Sequence, residues 1–262
     1  MNSLFCCAWF FCYLSYDQLM NASPSSRLHQ FARARFSPEG AAGLYLTMGV
    51  AVLVLTGWLF GLIAGQVAAG GPVTLLDLQL AQWFHARATP GVTQVTLLFT
   101  HWNSVAGVLA MTAILGYALL RRRLDYWLLA LVCTVPGGMV VNGLMKLAFE
   151  RARPAFEQPL VTLHTYSFPS GHASGATLFY GFLACLLVRH VAAGGKRLAI
   201  GALAALMVVA VCASRLYLGA HYLTDVLAGV AEGLAWLAVC ITAVSNLRRR
   251  REARGLPLWR TS

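Results

Sequence analysis

Apolar residues run in six long stretches separated by short polar breaks, at roughly residues 44–65, 101–120, 128–149, 171–188, 198–214 and 222–245. A bilayer core about 30 Å thick takes about 20 mostly apolar helical residues to cross, so each stretch predicts a transmembrane helix. Small residues recur in all six, with 24 glycines in the chain, and that suits helices whose backbones pack closely in lipid. No internal repeat or low-complexity linker interrupts the series. The predicted fold class is all-α: a polytopic membrane protein with a six-transmembrane-helix bundle over residues 41–247. Residues 1–40 and 248–262 are predicted as flanking tails.

Two shorter segments change this picture slightly. Between the first two stretches, Thr74-Leu-Leu-Asp77 reads as a capping box, followed by Leu78, Leu80, Ala81, Trp83 and Phe84. That pattern predicts a short helix lying on the membrane surface with its aromatics at headgroup level. Near the N-terminus, Leu4 to Leu14 is apolar but too short to span, and it lacks the flanks of a signal peptide. It reads as an interfacial anchor, or as translation assigned ahead of a true start at Met20, and the second is the working expectation.

Composition closes off other classes. Of 262 residues, 58% are apolar and 11% charged, against roughly 45–50% and 25% in soluble domains. A soluble enzyme, a disordered chain and a small disulfide scaffold are all excluded. The net charge of +11 does not point to nucleic acid, because the basic residues sit in short clusters between apolar runs. The seven cysteines are odd in number, and no zinc-ligand spacing is present. Four of them (Cys133, Cys185, Cys212 and Cys240) lie within or at the ends of apolar runs and read as small core residues.

The clusters also orient the chain. With the N-terminus inside, fifteen Lys and Arg fall on the inner side: Arg27, Arg33, Arg35, Arg121, Arg122, Arg123, Arg189, Lys196, Arg197, Arg248, Arg249, Arg250, Arg251, Arg254 and Arg260. Five fall outside: Arg87, Lys146, Arg151, Arg153 and Arg215. That asymmetry predicts a multi-pass protein of the cell inner (plasma) membrane with both termini cytoplasmic.

The outer cations are the informative ones, since they run against the topology signal. Lys146 ends the third stretch, and Arg151 and Arg153-Pro154 follow it. Pro169-Ser170-Gly171-His172 opens the fourth, Ser214-Arg215 closes the fifth, and His221 opens the sixth with Asp225 one turn on. Alternating spans bring these ends to one face. Lys146, Arg153 and Arg215 suit a multiply charged anion, with arginine offering a fork to phosphate oxygens. Gly171 lets a helix N-terminus approach that anion, and Ser170 adds a hydroxyl donor. His221 and Asp225 are i and i+4, so the carboxylate can hold one ring nitrogen and leave the other free to attack. His172, at a helix N-terminus beside several cations, is placed to move protons. Two histidines in distinct environments match a nucleophile and a general acid. Glu232 lies 11 residues beyond His221, about three turns on, and a structural role is expected for it.

Lys146-x6-Arg153-Pro154, Pro169-Ser170-Gly171-His172 and Ser214-Arg215-x5-His221-x3-Asp225 resemble the three signature motifs of the type 2 phosphatidic acid phosphatase superfamily, which vanadium-dependent haloperoxidases share. The resemblance covers about residues 75–245. It implies a membrane lipid phosphatase that hydrolyses a phosphate monoester or diphosphate without a metal or other cofactor. The phosphate would pass through His221, oriented by Asp225, while His172 protonates the leaving group. Lys146, Arg153, Arg215, Ser170 and the Gly171 amide would bind phosphate, and Arg151 fits a weaker family pattern. The implied partners are a lipid phosphate and the surrounding membrane lipids, with no nucleic acid. Phosphatidate, phosphatidylglycerol phosphate and undecaprenyl diphosphate stay open as substrates, and nothing specifies an oligomeric state. The charge asymmetry, with all three motifs on the side poor in Lys and Arg, places the expected site on the outer, periplasmic face, and the surface helix either plugs the bundle there or admits substrate. A haloperoxidase is disfavoured by six spans. A non-catalytic transporter or scaffold would carry a damaged motif, and none is damaged.

Overall fold

The computed structural model describes residues 43–192 and 194–255. The readings placed on Leu4–Leu14, Met20, Arg27, Arg33, Arg35 and Arg260 lie outside the described residues. The chain divides into two compact units, Met1–Met48 and Gly49–Ser262; of the first, only the opening turns of a helix are described.

The described residues form eight helices and no strand: α1 (Gly43–Ala68), α2 (Val73–His85), α3 (Pro90–Trp102), α4 (Val105–Arg121), α5 (Asp125–Phe149), α6 (Gly171–Val188), α7 (Gly194–Tyr217) and α8 (Leu223–Ala253). Five of them, α1, α5, α6, α7 and α8, are each long and apolar enough to cross a membrane. α3 and α4 are long and apolar enough only when taken together, and they are bent by 46° at the break between them, the geometry of a broken span or a re-entrant loop. The predicted span at 101–120 therefore begins in the last turn of α3, and the rest of α3 was not read from the sequence. The break has a local cause. Ser104 caps α4 by accepting the Gly107 N–H at 3.2 Å, while Asn103 donates its amide to Phe99 O at 3.0 Å and accepts the Tyr180 hydroxyl at 2.9 Å. Side-chain bonds of this kind compete with the helical ladder and end it.

α1 closes on a left-handed Gly70 (φ +62), with Gly71 N–H reaching back to Gln66 O at 2.8 Å, the arrangement of a Schellman end. Pro72 follows and α2 begins. The surface helix expected there is present, but the capping box is not: α2 has no side-chain cap, and the Thr74 hydroxyl donates to Gly71 O. Asp77 turns instead into the protein, where it is buried. A carboxylate with charged and hydrogen-bonding partners inside is worth more than one local backbone bond.

α6 is the central helix, buried continuously from Ala173 to Phe179, and it packs against α5, α7 and α8. Val108, Leu119, Leu131, Val135, Leu178, Phe182 and Leu237 fill the space between α4, α5, α6 and α8. A second cluster joins Ala64, Phe168 and Ala228. The cysteine reading holds for Cys240, which is buried; Cys133 and Cys212 are half-buried and Cys185 is exposed. Helix faces turned outward in a bundle meet lipid, so an apolar side chain is under no pressure to enter the core.

Candidate active site

The site is assembled at the ends of α5, α6, α7 and α8. At the end of α5 the chain turns through Glu150, which holds a left-handed backbone (φ +45), its N–H on Lys146 O at 3.0 Å. The turn sends Arg151 and Arg153 across the bundle end instead of along the helix. Ser167 N–H returns to Arg151 O at 2.8 Å, and Ser170 N–H to Asp225 O at 2.9 Å. The loop is thus tied to itself and to α8 immediately before α6 starts. On the other side, the turn between α7 and α8 passes through Gly219 (φ +61), where a Cβ would stand 2.6 Å from the Phe156 ring. Phe156 in turn stacks on His85 at 4.0 Å.

Asp225 is the buried centre. Its Oδ2 accepts the Tyr222 N–H at 2.9 Å, which caps the first turn of α8, and the Ser167 hydroxyl. Its Oδ1 accepts Arg151 Nη1 at 2.6 Å. His221 Nδ1 lies 3.4 Å from Oδ2, and its Nε2 lies 3.2 Å from Arg153 Nη1. A guanidinium can only donate, so Nε2 accepts and the ring proton sits on Nδ1, facing Asp225. Burial pushes the His221 pKa down to about 4, with Arg153 and Arg215 acting the same way and Asp225 opposing. The ring is therefore neutral at ordinary pH, with one nitrogen lone pair turned toward the cations.

Those cations are held by backbone and hydroxyl oxygens. Arg153 donates to Thr165 O at 2.6 Å, Tyr166 O at 3.1 Å and Ala220 O at 2.6 Å. Lys146 Nζ donates to Tyr166 O at 2.8 Å. Buried Arg215 donates to Thr100 Oγ1 at 2.8 Å. His172 stands on the first turn of α6, within the electrostatic reach of Arg215, His221, Arg153 and Lys146. Ser170 caps α6 through its Oγ, which accepts the Ala173 N–H at 3.5 Å. At Gly171 a Cβ would come 3.1 Å from Asn142 Oδ1 and 3.7 Å from Lys146 Cε, so a side chain there would crowd the lysine.

The structure thus gathers Lys146, Arg153, Ser170, Gly171, His172, Arg215, His221 and Asp225 at one end of the bundle. Arg87, counted with the outer cations, is apart from them, lying over the Trp83 ring at 4.3 Å. Glu232 accepts the Asn142 amide at 2.7 Å, one turn below Lys146 on α5. Four contributors went unread. Ser167 and Thr224 bond the Asp225–Arg151 pair, Thr100 seats Arg215, and Asp77 binds both Thr224 and Arg151. Ser167 borders the Pro-Ser-Gly-His turn and Thr224 precedes Asp225, so both had a positional signal. Thr100 and Asp77 had none. Among the described residues no three His, Cys, Asp or Glu form a metal-ligand set.

Comparison with known proteins agrees in kind. The PAP2 superfamily profile matches residues 125–249. Phosphatidylglycerophosphatase B of Bacillus subtilis is 33% identical over 146 residues, which is 55% of this chain and 71% of that protein. A probable lipid phosphate phosphatase beta of Arabidopsis thaliana is 33% identical over 111 residues, 40% of this chain and 50% of that one. Among solved structures, a transmembrane PAP2 type phosphatidylglycerolphosphate phosphatase from Bacillus subtilis superposes with a TM-score of 0.69 at 27% identity, covering 75% of this chain and 98% of its own. LpxE of Aquifex aeolicus superposes with a TM-score of 0.51 at 22% identity, covering 63% and 94%, a likeness of fold.

Proposed function

The chain belongs to the PAP2 superfamily and is a multi-pass membrane lipid phosphatase; from that premise we propose that it hydrolyses a lipid phosphate or diphosphate through a phosphohistidine on His221. One arrangement carries this reading: His221 Nδ1 faces Asp225 while Nε2 faces Arg153. Substrate phosphate takes the place of that arginine contact. Nε2 attacks phosphorus, the bond from phosphorus to the lipid oxygen breaks, and His172 gives its proton to the departing oxygen. Water then attacks phosphorus as His172 takes its proton, and the N–P bond breaks to release phosphate and free His221. Lys146, Arg153, Arg215, the Ser170 hydroxyl and the Gly171 amide bind the equatorial oxygens and stabilise their charge. Phosphatidylglycerol phosphate is the first substrate to test, because the Bacillus subtilis relative is named for it. Phosphatidate and undecaprenyl diphosphate complete the assay.

The two histidines separate experimentally. A nucleophile is needed whatever the leaving group, whereas an acid matters most when that group is poor. His221→Ala should abolish turnover of both a lipid phosphate and an activated aryl phosphate and trap no phosphoenzyme. His172→Ala should lose about 10²–10⁴-fold on the lipid phosphate and far less on the aryl one. Asp225→Asn should fall between, keeping the ring but misorienting it. Equal losses on both substrates in His172→Ala, or a phosphoenzyme surviving in His221→Ala, would overturn the assignment.

A further inference from the structure

Asp77 is a buried carboxylate that the reaction above does not use. It lies on the inner face of α2 with Ala81, while Leu75, Leu76, Leu78 and Trp83 of the same helix are exposed. A carboxylate taken out of water needs charge and hydrogen bonds in return. All of those supplied to Asp77 come from the catalytic end of the bundle. Its Oδ1 accepts the Thr224 N–H at 2.9 Å, and its Oδ2 accepts the Thr224 hydroxyl at 2.5 Å and Arg151 Nη2 at 2.8 Å. The other arm of Arg151 donates to Asp225 Oδ1 at 2.6 Å and Thr224 Oγ1 at 2.7 Å, and its plane lies 4.3 Å over the Tyr222 ring. One guanidinium therefore joins two buried carboxylates. Burial works against its charge, and Asp225 and Asp77 outweigh that, strengthening its hold on the proton.

The consequence runs through Asp225. That carboxylate presents Oδ2 to His221 and is held at Oδ1 by Arg151, so its rotation depends on where the guanidinium stands. Arg151 is fixed from behind by Asp77. We propose that Asp77 is a positioning residue for the phosphatase reaction: through Arg151 and Thr224 it holds the Asp225 carboxylate, and with it the His221 ring, in the attacking orientation. The inference rests on the reading of His221 as nucleophile. The charge effect adds to the geometric one. Asp77 offsets one positive charge, so Asp225 keeps its influence on His221 against Arg153, Arg215 and His172, which also face that ring. A simple docking pin for α2 would do neither.

The test uses the full-length protein in lipid-supplemented detergent, with a lipid phosphate and an aryl phosphate. Asp77→Asn keeps the shape and removes the charge. Outer partners of a catalytic group commonly account for about 10–100-fold, so kcat should fall by that much on both substrates with KM nearly unchanged. The acid limb of kcat/KM should move to lower pH, since removing a nearby negative charge favours the neutral ring. Asp77→Glu should restore the limb and part of kcat. In an Arg151→Gln background, adding Asp77→Asn should cost little more, because the path is already cut. Wild-type kcat in Asp77→Asn, a loss confined to KM and Tm with the limb unmoved, or an undiminished loss in the Arg151→Gln background overturns the proposal. If Asp77→Asn does not fold, Thr224→Val removes the hydroxyl that bonds both partners, and a wild-type kcat there overturns it equally. His221→Ala separates the two ideas. If it keeps turnover, the nucleophile reading has failed; if it is dead while Asp77→Asn is wild-type, only the role of Asp77 has.

Discussion

His221 combines two demands that oppose each other in water. Its ring is buried among cations, which keeps it neutral, yet one carboxylate fixes its tautomer and would support the charge that the proposed phosphorylation develops. With its pKa pushed down to about 4, the free lone pair persists through mildly acidic pH. With His221 as the proposed nucleophile, protonation removes its attacking lone pair, so the acid limb of kcat/KM in the wild-type enzyme should fall well below the ordinary histidine value of about 6.5, near pH 4. The measurement is a pH–rate profile on an aryl phosphate; a limb at pH 6 to 7 that reports His221 would contradict the burial argument. Ser170 illustrates a second economy at this scale. Its Oγ caps a helix, and the proposed reaction would also use its hydroxyl as a donor to phosphate, so one side chain would serve the fold and the cradle.

At the scale of elements, the contact that matters most is the crossing of α6 and α8. A Cβ at Gly229 would stand 2.5 Å from Ser170 O, and one at Gly233 would stand 2.9 Å from Thr177 Cβ. Small residues let the two helices approach until the Ser170 N–H can reach Asp225 O. The obstacle at Gly229 is backbone and cannot rotate away. Gly229→Ala should therefore lower stability by about 1–3 kcal/mol, the usual range for overpacking, and reduce kcat by displacing the proposed phosphate cradle. Thermal unfolding and turnover measured on the same preparation check this; an unchanged Tm with normal kcat would show that the helices part without cost. The bent pair α3–α4 works similarly, because the bend leaves Thr100 facing Arg215 while Asn103 anchors to Tyr180.

For the whole molecule, the charge distribution and the position of the site make one prediction. Four outer cations are drawn into the catalytic end, and fifteen basic residues are assigned to the opposite side. The positive-inside bias predicts a site on the non-cytoplasmic face, with both termini inside. Leu163 is an exposed residue of the loop beside the site. Leu163→Cys should react with a membrane-impermeant thiol reagent in intact cells. Labelling only after permeabilisation, in a variant that retains activity, would reverse the topology. Most of this architecture could be read in advance, down to the end of the bundle where α5, α6, α7 and α8 place Lys146, His172, Arg215 and His221.

What the sequence determined alone was whatever is written in consecutive residues. Apolar length specified the spans, since crossing a bilayer is a one-dimensional requirement, and alternation of spans then specified which motif ends share a face. The i, i+4 pair of His221 and Asp225 was legible for the same reason. Tertiary structure decided whatever depends on a partner remote in the chain. Asp77 meets Thr224 across 147 positions, and Arg215 meets Thr100 across 115; no periodicity or spacing records such pairs. Asp77 shows the physical reason most clearly. Its local pattern offered a helix cap, a bond a lone carboxylate makes readily in water, but folding placed a guanidinium and a threonine beside it. In a buried site those charge-assisted bonds outweigh one backbone N–H.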